Sequence, residues 1–528
     1  MATQTTDVPG AGYGSSYVDS LVWGCAWTGG PVTYYFGAGD VAADDSAIGQ
    51  FTGQSWMDSE KAAFSNALAI YSSVCNLEFT EAASAAQANI VWWLAPSADI
   101  GSNMLGMHEV PDASYPQTYG YFNGDHSTWG NLAQGSFGFV TIIHELGHGM
   151  GLAHPHDGGS EADATRFAGV RGAYSTGTYG MNQGIWTTMS YNDGWSQAPH
   201  SSKAFGYQGT VMALDIAALQ ALYGANMTTR TGDDEYLLPT ANAQGTFFSC
   251  IWDAGGSDTI SNAGGTLACT IDLRAATLEG ANAGGYVSRD AGIAGGYTIA
   301  SGAVIENATG GSGNDTLMGN AVGNWLDGGF GSDTMTGGAG DDTYVIDSVN
   351  DRVVEVTAQG IDTVRTTVAY TLGASVENLV LVGTASIAGT GNSAANVLTG
   401  NEGRNTLGGA GGNDTLAGGA GVDKLTGGTG ADVFVFNFGD TGTGSTGRDV
   451  ITDFRGSQKD RIDLNGWDAN EQADGMQDFR YVGSAFTGRA GDLKFAKGVL
   501  AGDTDGDGLA DFEIQMTGVS GFSSNWLA

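Results

Sequence analysis

The chain has 528 residues, 57 of them acidic and 19 basic, and its formal net charge of −38 excludes nucleic acid and anionic membranes as partners. Its length exceeds what one hydrophobic core holds, so two or more domains are expected. Glycine contributes 88 residues and proline 8, with 41% hydrophobic residues, so the chain can bury cores and its glycine must be patterned.

In chain order, Met1 to Gly10 shows no basic segment leading into an apolar one, so no ordinary secretory signal is expected there, and no apolar stretch is long enough to span a bilayer. Phe64, Leu68, Tyr71 and Cys75, spaced four, three and four apart, predict an amphipathic helix. Asn89-Ile90-Val91-Trp92-Trp93 predicts a buried strand, and the segment before His144 a helix. Met212, Ile216, Leu219 and Tyr223 predict a further helix that ends at Gly224.

The stretch from His144 to Pro155 reads H-E-L-G-H-G-M-G-L-A-H-P. On a helix of about 3.6 residues per turn, His144 and His148 share a face about one turn apart. Glu145 is rotated by about 100°, where a carboxylate reaches water beside a metal without ligating it. Gly151 can take a positive φ, ending the helix and returning His154 to the same point, and Pro155 keeps the helix from resuming. Three protein ligands with open remaining coordination form the catalytic zinc pattern. A lone H-E-x-x-H can arise by chance on a surface helix, but the full constellation is far more specific. His156 is the one rival third ligand. The offset of His154 from His144 favours His154, and His156 reads as a loop residue.

The glycine is patterned in the second half as a nine-residue repeat, G-G-x-G-x-D-x-(apolar)-x. Copies carry Gly311, Gly313 and Asp315; Gly329, Gly331 and Asp333; and Gly338, Gly340 and Asp342, followed after a gap by copies around Asp414, Asp423 and Asp432. Weaker copies at Gly319–Leu326 and Gly400–Leu407 place Asn where Asp is expected. Such a repeat predicts a parallel β-roll in which glycine turns expose carbonyl oxygens, Asp completes an all-oxygen shell for calcium, and the apolar position points inward. A flexible glycine-rich linker is the plain alternative, and the strict Asp and apolar periodicity argues against it. Near the end, Asp503, Asp505, Asp507 and Asp511 are spaced either as a calcium loop or as an acidic hairpin turn. Cys25, Cys75, Cys250 and Cys269 form no C-x-x-C pair. Cys250 and Cys269 can staple the segment they flank, or all four can be isolated buried thiols.

With Thr188-Met189-Ser190-Tyr191 downstream, the histidine motif resembles the metzincin pattern of zinc peptidases. Pro155 and Tyr191 make it similar to the serralysin branch, whose members carry RTX-type calcium repeats. The likeness runs from Tyr17-Val18-Asp19 through Asp215–Gln220 to Asp449–Phe454. It implies an α/β metzincin-type protease domain at 1–226 with an N-terminal extension at 1–16. An all-β parallel β-roll would follow at 227–435, and a β-rich C-terminal cap at 436–528. It implies one catalytic zinc on His144, His148, His154 and Tyr191, with Glu145 as general base. Tyr191 would swing away to stabilise the oxyanion, and Met189 would form an apolar floor.

The resemblance further implies calcium ligands at Arg230, Gly232, Asp234, Asp253, Gly255, Gly256, Asp258 and Glu306, besides those of the repeats. Leu105–Pro111 resembles the edge strand on which such enzymes align substrate; His108 stands there in place of a small residue, its plain reading a solvent-facing side chain. The implied activity is a secreted, extracellular, monomeric zinc endopeptidase of broad specificity toward proteins and peptides, exported by a type I machinery and folded on meeting calcium. The final residues 524–528 lack the acidic-then-apolar ending usual for such export, and no inhibitory prosegment is evident. The rival class is a calcium-dependent extracellular binding or adhesion protein with an inactive protease-like domain.

Overall fold

The structure, a computed structural model, describes residues 2–42, 46–157, 165–200, 202–356, 359–470 and 472–528. The chain divides into two compact units, Met1–Ile305 and Glu306–Ala528.

In the first unit the apolar runs form a five-stranded sheet in the order Phe79–Glu81, Val32–Gly37, Ile90–Ala95, Thr118–Asn123 and Gly106–His108. The first four strands are parallel, and Gly106–His108 runs antiparallel along the edge. Among the described residues five α-helices accompany it: α1 (Ser16–Leu21), α2 (Asp58–Val74), α3 (Ser97–Ile100), α4 (Phe137–Gly149) and α5 (Ala213–Tyr223). The predicted helix around Phe64 is α2; Glu60 in its first turn accepts the Met57 amide at 2.7 Å, and Cys75 is its C-cap. Phe64 packs 4.9 Å, centroid to centroid, from both Trp92 and Phe122, all three wholly buried. Burying each such ring is worth about 1.5–3 kcal/mol. Gly224 at φ 75° closes α5 as the sequence predicts.

The later part of this unit holds three strand pairs. Glu235–Leu237 with Thr259–Ser261 and Phe248–Ile251 with Gly296–Ile299 are parallel; Cys269–Asp272 with Arg289–Asp290 is antiparallel. No disulfide links the described residues. The four cysteines are buried, and burial pushes the thiols of Cys25, Cys75 and Cys250 up to about 12. The staple expected as one alternative for Cys250 and Cys269 is therefore absent.

The second unit is a parallel roll. Asn307 pairs with Trp325, Trp325 with Thr343, and on the facing sheet Thr316 with Thr334, so two nine-residue repeats make one coil. The apolar position of every copy points inward: Ala308, Leu326, Tyr344, Val364, Leu379, Leu398, Leu416 and Phe434 on one side, and Leu317, Met335, Leu407 and Leu425 on the other, are wholly buried. Three strands close the unit as an antiparallel meander of Asp492–Ala496, Val499–Asp503 and Phe512–Met516. Among the described residues, no helix is long and apolar enough to cross a membrane.

Candidate active site

Helix α4 starts where the Ser136 hydroxyl accepts the Phe139 amide at 3.2 Å. Its last carbonyls are held from outside: Trp27 Nε1 donates to Gly149 O at 2.8 Å and the Tyr223 hydroxyl to Met150 O at 2.7 Å. Gly151 then adopts φ 88°, and a side chain there would collide with the Cys25 carbonyl. That turn brings His154 back to the helix. Its Nε2 lies 3.1 Å from His144 Nε2 and 3.0 Å from His148 Nε2.

The other ring nitrogens decide what those three atoms are. His144 Nδ1 donates to Thr188 O at 2.8 Å, His148 Nδ1 to Leu152 O at 2.9 Å and His154 Nδ1 to Asp157 Oδ2 at 2.5 Å. Carbonyl and carboxylate oxygens only accept, so each Nδ1 carries the proton and each Nε2 directs a lone pair at the common point. Three converging lone pairs repel unless a cation lies between them, and an all-imidazole set facing open space suits zinc. Burial, then the neighbouring His154, lowers His144 to about 3 and His148 well below its usual value, which keeps both rings neutral as ligation requires. His156 stays out of the cluster, stacked on His154 with ring centroids 4.9 Å apart.

Glu145 lies against the edge strand. A side chain at Gly106 would meet its Cγ at 2.7 Å and its Oε1 at 3.1 Å. Burial raises its carboxyl to about 8, opposed by the backbone N–H of His108; a neighbouring divalent cation acts in the lowering direction. Leu105, Gly106, Val140, Tyr174 and Tyr191 line the cleft in front, which holds about 380 Å³. Asp193, also on the cleft, is raised to about 6 by burial, with Lys203 opposing.

His108 is not solvent-facing. It is buried, its ring seated in a slot that side chains at Gly120 or Gly149 would fill, and it accepts from Trp92 Nε1 at 3.1 Å. Its Nδ1 donates to Glu109 O at 2.7 Å, and burial lowers it to about 4, so the ring is neutral at pH 7. A three-residue strand leaves too little alternation to tell which face a side chain takes. His108→Ala is expected to lower unfolding free energy in urea by about 2–4 kcal/mol, because it opens a cavity and orphans the Trp92 donor.

Met189 is wholly buried, and its Sδ lies where a side chain at Gly147 would go. Asp215, at the start of α5, holds this turn. It accepts from Thr188 N at 2.7 Å, Thr187 Oγ1 at 2.6 Å, Thr188 Oγ1 at 2.9 Å and Met212 N at 2.9 Å. Tyr191 places its ring 4.7 Å from that of His154 and 5.6 Å from that of His144.

Further along the first unit, Asp234, Asp253 and Asp258 bring carboxylate oxygens within 4.8 Å of one another. Gly232 and Arg230 belong to the same loop pair: a side chain at Gly256 would strike the Gly232 carbonyl, and the Ala254 amide donates to Arg230 O at 3.3 Å. Gly255 and Gly256 take φ 136° and 151°.

In the roll the aspartates form a ladder, each Oδ1 accepting the amide of its counterpart one coil earlier. Asp333 accepts from Asp315 at 2.7 Å, Asp414 from Asn396 at 2.9 Å, Asp423 from Asn405 at 2.8 Å and Asp432 from Asp414 at 3.0 Å. Oδ2 of Asp333, Asp342, Asp414, Asp423 and Asp432 is buried with no hydrogen-bond partner. Where Asn replaces Asp, the amide fills that place: Asn324 Nδ2 donates to Glu306 O at 3.0 Å and Asn405 Nδ2 to Ile387 O at 3.3 Å. Glu306 thus enters through its carbonyl. Orphaned carboxylate oxygens beside glycine carbonyls form an oxygen-only donor set that fits calcium. In the terminal loop, Asp503 accepts from the amides of Gly506 and Gly508, and Asp503, Asp505 and Asp511 bring carboxylate oxygens within 4.8 Å of one another, so the turn and the calcium-loop readings both stand.

A family profile described as Peptidase M10 serralysin C terminal matches residues 213–368 and 377–526, more than half of the chain. The chain belongs to the serralysin family. Serralysin-family relatives include metallopeptidase AprA of Pseudomonas marginalis, 32% identical over 280 residues that cover 50% of this chain and 53% of that protein. Serralysin of Proteus mirabilis is 34% identical over 216 residues, covering 37% of this chain and 40% of its own length. Serralysin C of Dickeya chrysanthemi is 36% identical over 216 residues, covering 36% and 41%. The chain thus spans about half or less of the curated serralysins and AprA that it matches.

Several residues of this site escape a motif search. Asp157 orients His154, and Asp215 supports the turn whose carbonyl orients His144. In the ladder, Asp351, Asp362, Asp449 and Asp460 continue the series by accepting from Asp333, Asp342, Asp423 and Asp432. None of them keeps the full set of motif glycines, and the spacing, still 18 residues at Asp351, is stretched to 20, 26 and 28 at Asp362, Asp449 and Asp460. The signal that remains is the end of the repeat, Asp-x-apolar, as in Asp362-Thr363-Val364 and Asp449-Val450-Ile451.

Proposed function

We propose that the chain is a secreted zinc endopeptidase that hydrolyses peptide bonds in proteins with broad specificity and is stabilised by calcium. The reading rests above all on the three convergent Nε2 atoms, each oriented through its Nδ1, with Glu145 beside them and an open sheet edge in front. Residues 1–226 would then be the metzincin-type protease domain, 227–435 the calcium-binding roll and 436–528 the cap. His144, His148 and His154 would hold the zinc, with Tyr191 as a further ligand. Zinc bound there supplies polarisation of the scissile carbonyl and acidification of water.

The remaining work falls to side chains and backbone. An extended peptide adds to the edge strand Gly106–His108 through main-chain hydrogen bonds, which favours broad specificity. Glu145 accepts a proton from the attacking water and returns it to the leaving amine. The Tyr191 hydroxyl, on a ring beside His144 and His154, donates to the developing oxyanion. Removal of zinc by a zinc-selective chelator, with calcium held in excess, is expected to abolish casein hydrolysis, with recovery on adding one equivalent of zinc; full activity of zinc-depleted protein would sink the assignment. Tyr191→Phe is expected to lower kcat by roughly 10²-fold with little change in KM, the size of losing one oxyanion donor. Steady-state kinetics on a peptide substrate checks it. The Asp ladder with its orphaned oxygens supports calcium in the roll, which suits an extracellular setting where that ion is plentiful. Export by a type I machinery and a monomeric state complete the reading.

A further inference from the structure

Gly337 to Asp342 follows the repeat, but the next turn on that side does not. Eighteen residues after Gly337 stands Glu355, and of the motif only Gly360 and Asp362 remain, two residues late. At Gly360 and Asp362 the backbone nevertheless keeps the repeat geometry. Asp342 N donates to Asp362 Oδ1 at 3.0 Å, and the Gly340 carbonyl blocks a side chain at 360 as Gly313 O does at 331. What changes is the first position of the turn, where a glycine becomes a glutamate.

The Glu355 carboxylate turns toward the roll. Asp342, Glu355 and Asp362 each offer an oxygen within 4.8 Å of the others. Asp342 is 1% exposed, and its Oδ2 has no hydrogen-bond partner. That oxygen faces the cluster: a Cβ at Gly337 would collide with both Asp342 Oδ2 and the Tyr344 hydroxyl, and that hydroxyl donates to Glu355. None of the ion pairs among the described residues reaches the three carboxylates. Burial, followed by their mutual repulsion, raises Asp342 to about 7 and Asp362 to about 6.

We propose that Asp342, Glu355 and Asp362 form a separate calcium site at the turn where the glycine repeat breaks. It deepens the calcium reading of the roll and rests on it, but its ligand set is different. A repeat site takes one carboxylate per turn and completes its shell with glycine carbonyls. Here three carboxylates converge, and ligand charge count is what tightens calcium binding. Oxygen-only donors with this much negative charge select a hard divalent cation over zinc or copper. Tyr344 holds Glu355 in place and is a positioning residue.

The test is calcium per chain, measured by mass spectrometry on full-length protein equilibrated at fixed free calcium. Glu355→Gln is expected to bind one ion fewer than the wild type, with an unchanged far-UV circular dichroism spectrum. The same count and affinity in both proteins overturns the proposal while leaving calcium in the repeats intact. A wild type that binds no calcium overturns the calcium reading as a whole, and this site with it. If Glu355→Gln does not fold, Tyr344→Phe keeps every carboxylate and is expected to weaken the tightest-bound calcium about tenfold; unchanged affinity there also overturns the proposal.

Discussion

Glu145→Ala is expected to lower kcat/KM for a casein-derived peptide by roughly 10³-fold, the middle of the range for losing a general base. The residue lies on α4 between the two helical histidines but outside their cluster, so on the proposed reading its loss removes the proton acceptor and leaves the three zinc-holding rings in place. Zinc content should stay at the wild-type value, which separates this variant from His148→Ala, where content and activity fall together. Glu145→Gln should match alanine in rate, because an amide cannot take the proton although it fills the same space beside Gly106. Activity within a factor of two of the wild type, with zinc retained, would return the chain to the binding-protein reading. Because Glu145 is buried against the edge strand, removing it also relieves a carboxyl that burial raises to about 8. The variant is therefore expected to be at least as stable as the wild type in the metal-depleted state at pH 9, where the wild-type group is ionised.

Much of this site was legible in the sequence, because the features that build it are local. His144 and His148 read as one helical face, and Gly151 as a positive-φ turn, because only a few residues separate cause and effect. The glycine repeat translated directly into coils because its period is imposed again at every turn. What escaped depends on contacts between distant segments. The burial of His108 is set by Trp92, Gly120 and Gly149, none of them a sequence neighbour. Asp215 acts on a turn 27 residues earlier. Asp449 and Asp460 keep the ladder while the chain between coils lengthens, so a search for a fixed period passes over them. The three converging histidines are encoded by spacing, and the groups that orient them by packing.

Calcium removal is expected to unfold the roll at pH 8 and to leave it folded at pH 5. The ladder buries aspartates whose ordinary pKa is about 3.9. Burial, ahead of neighbouring charge, raises Asp333, Asp342, Asp423 and Asp449 to about 7 and Asp414 to about 6. A carboxyl whose folded pKa is raised stabilises the fold fully below its unfolded pKa, and that stability is lost as pH rises through the folded value. The calcium-free roll should therefore weaken from about pH 4 to pH 7 and stay weak above. Calcium acts in the opposite sense, since it binds the ionised form and displaces the proton. One site at a hundredfold excess over its Kd contributes about 2.7 kcal/mol, so three or four rival the 5–15 kcal/mol that a typical domain possesses. Hydrogen exchange on the full chain reads this directly through amides of the strands Trp325–Asp327, Thr415–Ala417 and Val433–Asn437. Protection there should be high with calcium at pH 8, lost with chelator at pH 8, and substantially regained with chelator at pH 5. Protection that chelator leaves unchanged at pH 8 would mean that the orphaned Oδ2 atoms need no cation. Loss that acid does not reverse would mean that proton and calcium do not compete for the same oxygens.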